Sequence, residues 1–150
     1  MKLATALSER ADLKRRIQEL SLRLNNNAKV QEGETPSENP EDLLRELDGC
    51  LLRLEELIAR INRTNNAVKW EDQTITDMIA KRDCLIERIR IMRDFLNASS
   101  EKVSRYSKTE IKIVSTVTVS DLQKKVDDFS KQLRETDEKI QEMNWITELL

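Results

Sequence analysis

Leu44, Leu47, Leu51, Leu54, Ile58 and Ile61 follow one another at gaps of three and four residues without a miss. Strands place every second residue on one face, so this spacing excludes a strand and demands a helix packed along its length. Leu43, Cys50 and Leu57 form a second apolar stripe beside the first. The start of this helix is equally well marked. Asn39 is a good N-cap, Pro40 suits the first helical position, and Glu41 and Asp42 face the positive end of the dipole. Gly49 is tolerated inside it at a cost of about 1 kcal/mol against Ala.

Three further segments repeat the pattern. Leu3, Ala6, Leu13, Ile17, Leu20 and Leu24 share a face, with Arg10 in the missing position. Ile75, Met78, Leu85, Ile89, Met92 and Leu96 make a seam that Ile79, Ile86 and Phe95 widen. Leu122, Val126, Phe129, Leu133, Ile140 and Met143 make the last, with Thr136 in a gap and Thr118 as N-cap. The spacing predicts helices over about 2–24, 40–65, 75–97 and 119–147. Each has one apolar stripe and needs the others. The expected fold is mainly α, a single domain over 1–150 built as a bundle of four long amphipathic helices.

Composition agrees with this reading. Charged residues make up 36% of the 150, there are two glycines and two prolines, and histidine is absent. A doubly wound nucleotide fold or a β-sandwich needs more turns than Gly33, Gly49, Pro36 and Pro40 supply. Small β elements are expected between the helices. Residues 68–75 read as a hairpin with Glu71 and Asp72 at its tip, and 28–32 and 110–117 read as strands. Chain direction brings those two strands to one pole. Glu32, Glu34 and Glu38 would there meet Arg105, Lys108 and Lys112.

Candidate chemistry is thin. Without histidine there is no Ser-His-Asp triad, no Cys-His pair and no His-ligated metal. Adjacent carboxylates at Glu55 and Glu56, Asp127 and Asp128, and Asp137 and Glu138 point about 100° apart on a helix and do not converge. No catalytic, cofactor-binding or metal-ligating residues are assigned. Cys50 and Cys84 are too few for a disulfide framework and read as buried thiols. The net charge of −2 provides no field for nucleic acid, and no aromatic platform interleaves with the basic residues. The apolar run after Met1 ends at Ser8, too early for a signal sequence, and no stretch is long enough for a membrane span. A cytoplasmic protein is expected.

Five stretches carry a resemblance: 1–13, 24–34 with its Asn25, Asn26 and Asn27, 58–65, 105–112 and 144–150. Together they resemble a small bacterial family labelled septicolysin-like. The resemblance implies a helical protein of uncharacterised function, named after a cytolysin, and carries over no catalytic residues.

The functional expectation is a non-enzymatic protein of unknown cellular role that self-associates, as a dimer or a larger homo-oligomer, and scaffolds or binds another protein. The candidate interface residues are Val30, Ile111, Ile113 and Trp145. A membrane-active protein is the first rival, with the basic first helix as its inserting segment. An enzyme using carboxylate chemistry is the second.

Overall fold

The computed structural model describes residues 1–101 and 111–150. It is mainly α, with four long helices and a two-stranded ribbon: α1 (Leu3–Asn26), α2 (Pro40–Ala67), β1 (Lys69–Trp70), β2 (Gln73–Thr74), α3 (Ile75–Ser100) and α4 (Val119–Ile146). The chain divides into two compact units. Met1–Thr74 and Glu142–Leu150 form one, and Ile75–Gln141 the other.

In the first unit α1 and α2 run antiparallel. Leu20, Leu43 and Cys50 form a buried cluster, onto which Leu13, Ile17, Leu24 and Leu47 pack. Asn39 caps α2 as expected, accepting from the Glu41 amide at 3.0 Å, with Pro40 following it. Asn27 closes α1: its side-chain amide donates to the Arg23 carbonyl at 2.8 Å. Its Oδ1 accepts from the Glu38 amide at 3.0 Å, which folds the interhelical loop back on itself. The ribbon pairs Lys69 with Thr74 and Trp70 with Gln73. Glu71, at its tip, has φ 54, the left-handed region that a tight hairpin turn requires.

In the second unit α3 and α4 also run antiparallel. The Arg88 guanidinium lies 4.7 Å from the Phe129 ring centroid, and Arg82 reaches Asp137 at 3.9 Å. α3 extends to Ser100, past the predicted end near 97. Ser99 Oγ and Ser100 Oγ bond back to the carbonyls of Phe95 and Leu96 four residues earlier, and the Glu101 amide donates to the Asn97 carbonyl that the helix end leaves open.

Two expected strands do not form. Residues 28–32 carry no strand, because the chain turns at once through Gly33, whose φ is 88, and the Glu34 amide bonds the Gln31 carbonyl. Residues 111–117 carry none either. Ser115 Oγ donates to the Val117 carbonyl and accepts from the Val117 amide, a local turn that competes with a ladder. Arg105 and Lys108, the expected partners of the acidic loop, lie outside the described residues, as does Glu110.

The orientation of α2 is the second correction. Its six-residue seam is buried only in part: Ile61 is buried and Leu47 packs on the core, but the other half of the seam turns outward. Leu43, Cys50 and Leu57 are 3%, 9% and 0% exposed, whereas Leu44, Leu51 and Ile58 are 47%, 44% and 37% exposed. Leu57→Ala should therefore cost about 2–5 kcal/mol, and Ile58→Ala about 1 kcal/mol or less. Urea denaturation midpoints that fall equally for both would contradict this orientation. Gly49 lies in the same helix, and a Cβ there meets nothing within 4 Å. Gly49→Ala should raise stability by about 1 kcal/mol, read from the same denaturation curves.

Candidate functional site

The features that could carry function lie on the α1–α2 pair, which has two unlike faces. One is a ladder of ion pairs. Arg53 Nε meets Glu9 at 2.7 Å, Arg16 Nη2 meets Glu46 at 2.6 Å, and Arg23 Nη2 meets Glu38 at 2.5 Å. The Arg53 guanidinium also bonds Glu56 at 2.8 Å. These contacts move titration points as expected. Hydrogen bonds from Arg23 hold Glu38 below the ordinary carboxylate value, and those from Arg53 do the same for Glu56. Hydrogen bonding to Glu46 raises Arg16.

The other face is apolar. Leu44, Leu51 and Ile58 precede Glu46, Arg53 and Arg60 by two positions. At 100° per residue they point about 200° away from that edge of α2. Leu52 extends the patch and is 71% exposed. Leu51, Leu54, Glu55, Ile58 and Ala59 line a shallow open depression on it. Asp48 and Glu55 border the patch, both exposed.

At one end of the pair the residues after α4 close onto α1 and α2. The Leu3 amide donates to the Thr147 carbonyl at 2.9 Å and the Leu149 amide to the Met1 carbonyl at 2.8 Å, an antiparallel bridge centred on Lys2 and Glu148. Arg60 Nε donates to the Leu150 carbonyl at 2.8 Å. The buried Thr64 hydroxyl accepts from the Leu150 amide at 3.0 Å and donates to the Arg60 carbonyl at 2.8 Å. Leu3, Leu57, Ile61 and Leu149 are buried at this end. Lys2 and the Met1 amine meet Glu148 at 2.8 and 3.1 Å.

Sequence reasoning missed this closure. Its one signal is alternation: Thr147 and Leu149 are buried, Glu148 and Leu150 exposed, a period of two over too few residues to register as a strand. Of the predicted interface residues, Val30 lies exposed in the α1–α2 loop and Trp145 exposed near the end of α4. Ile111 and Ile113 lie exposed on the segment before α4. Ile113 lines a depression with Phe95 and Val114. Cys50 is buried as expected, but Cys84 is exposed, because it sits one residue off the line of Met78, Leu85 and Ile89 that α3 buries.

The carboxylate pairs are spread over ion pairs and hydrogen bonds. Glu56 engages Arg53 and Arg60, and Asp127 accepts from Gln123. Among the described residues, no three acids or cysteines are grouped to hold a metal ion, and no helix is long and apolar enough to cross a membrane.

A family model described as a family of unknown function, DUF6847, matches residues 10–149. A crystal structure of a functionally unknown conserved protein from Corynebacterium diphtheriae is similar over 100% of this chain and 99% of its own, with 40% identity and a TM-score of 0.90. No curated protein matches. These matches overturn the septicolysin-like resemblance. The four of its stretches that lie wholly among the described residues are mostly charged amphipathic helix and polar loop, whose residues recur wherever a chain of this composition folds this way.

The closure yields a pH prediction. Hydrogen bonds from Lys2, and then from the Met1 amine, hold Glu148 below its ordinary value. A depressed carboxylate stabilises the fold fully above its unfolded pKa, and that contribution is lost as pH falls through the depressed value. Thermal midpoints of the wild type should exceed those of Glu148→Gln at pH 7, with the gap closing below about pH 4. A gap that does not change with pH would show that Glu148 contributes no charge-dependent stability.

Proposed function

The chain belongs to this family of unknown function, and we propose that it is a non-enzymatic helical protein that self-associates and acts as a scaffold or protein-interaction module in the cytoplasm. One observation carries the reading. The exposed stripe Leu44, Leu51, Leu52 and Ile58 keeps helical spacing on the side of α2 that α1 does not use. A helix buries such a stripe against another helix, and a contiguous exposed apolar patch marks an interaction surface. Val30, Ile111, Ile113 and Trp145, all exposed, are secondary contact points in this reading. The engagement of Glu56 and Asp127 by neighbouring side chains supports a role outside catalysis. The exposed thiol of Cys84 fits a reducing compartment.

Light scattering at micromolar concentration tests the proposal. The expected wild-type mass is at least twice 17.5 kDa, because closed two-fold pairs are the commonest assembly. Leu51→Lys should lower the mass while the helical circular dichroism is unchanged. Ile113→Lys, measured in parallel, decides whether the segment before α4 takes part. A wild-type mass of 17.5 kDa would refute self-association.

A further inference from the structure

We infer that the apolar face of the α1–α2 pair is the seat of a second copy of the same face, with α2 of each copy lying along α1 of the other and Asp48 meeting the other copy's lysine at position 14. The inference rests on the self-association reading and specifies its geometry.

Three observations lead to it. The first is which α1 residues share the face. Ion-paired Glu9 and Arg16 define one edge of α1. Leu7 and Lys14 precede them by two positions, about 200° round the helix, and so lie on the same side of the pair as Leu44, Leu51 and Ile58. Ala4, Ala11 and Gln18 continue that surface outward. The face thus carries large apolar residues on α2, Leu7 and two alanines on α1, bases at Arg10 and Lys14 on α1, and acids at Asp48 and Glu55 on α2.

The second observation is the register. The ion pairs join 9 to 53, 16 to 46 and 23 to 38, so residues at equal height on α1 and α2 have numbers adding to about 62. A two-fold axis parallel to the helices keeps every height. It lays α2 over the other copy's α1 and sets Asp48 opposite Lys14, Leu51 opposite Ala11 and Ile58 opposite Ala4. Leu51 and Ile58 then face alanines, the large-to-small matching of interdigitating helices.

The third observation excludes the competing arrangement. A two-fold axis perpendicular to the helices would lay α2 on α2. With that axis level with the middle of the stripe, at Leu51 and Leu52, Asp48 of each copy would come near Glu55 of the other, with no base on that line of α2. Like charges so placed oppose association, whereas the parallel axis pairs opposite charges. Charge therefore selects the axis, and with it the second copy's α1 as the occupant of the α2 stripe.

Light scattering and sedimentation velocity on three samples test this. Lys14→Glu alone sets a carboxylate against Asp48 at both contacts, and Asp48→Lys alone sets an ammonium group against Lys14 at both. Each should weaken association about tenfold or more, with helical circular dichroism unchanged because both positions are exposed. An equimolar mixture of the two variants restores opposite charges at both contacts and should return to the wild-type mass. If the wild type is monomeric, the self-association reading and this inference fall together. If the wild type associates but either single variant associates as well as it does, or the mixture does not recover, the reading stands and this geometry is overturned. Stronger association of Asp48→Lys would identify the α2-on-α2 pairing instead.

Discussion

The packing of α1 against the Leu43, Cys50 and Leu57 stripe of α2 is the contact on which the first unit depends. Neither helix is stable alone, since each offers a single well-buried stripe and an isolated helix in water gains too little per residue. Once the two stripes meet, everything else in the unit is placed. The ion pairs from Arg53, Arg16 and Arg23 fall into line along one edge. Asn27 and Glu38 meet at the end of the loop. Arg60 and Thr64 come level with the start of α1. The ion pairs are exposed to solvent and each adds little stability. Their value is in fixing the register, because a slip by one turn would separate every pair at once.

Helices were legible in the sequence because their signals are local and repeated. The cap at Asn39, the proline after it and four periodic seams each state a helix independently. Which face of α2 is buried was not legible. Leu44, Leu51 and Ile58 satisfy the same periodicity as Leu43, Cys50 and Leu57, and spacing alone cannot tell a stripe that meets a neighbour from one that meets solvent. The less regular stripe is the one covered. The strands expected at 28–32 and 110–117 failed, over the residues described, for a related reason. β-propensity describes what a segment tolerates once a partner strand is present, and at both places a local turn competes for the backbone groups first.

The closure at 147–150 shows a third limit. α1 begins at Leu3 without a capping side chain, Lys2 being the N-cap residue. Its first amide is instead satisfied by the carbonyl of Thr147, contributed from the far end of the chain. A search for caps in the neighbouring residues finds nothing there, because the cap is a tertiary contact. The same segment supplies Leu149 to the core and leaves Glu148 in solvent beside Lys2. Four residues thus close a helix end, fill a gap and join the two ends of the unit.

An apolar stripe left half in solvent carries a standing cost, since each partly exposed Leu or Ile forgoes on the order of 1 kcal/mol of burial. The sequence could reduce that cost with polar residues at 44, 51 and 58, which lie outside the buried stripe of Leu43, Cys50 and Leu57. It instead keeps branched aliphatics there, borders them with Asp48 and Glu55, and sets alanine at 4 and 11 on the adjoining helix. The opposite edge of α2 instead carries Glu46, Arg53 and Arg60, each engaged by a charged or polar group of the same unit. An ordered alternation of large, small and charged groups on one face is the pattern of a surface shaped to be covered. In the proposed two-fold pair Leu51 and Ile58 meet alanines and Asp48 meets a lysine, so packing and charge favour the same axis.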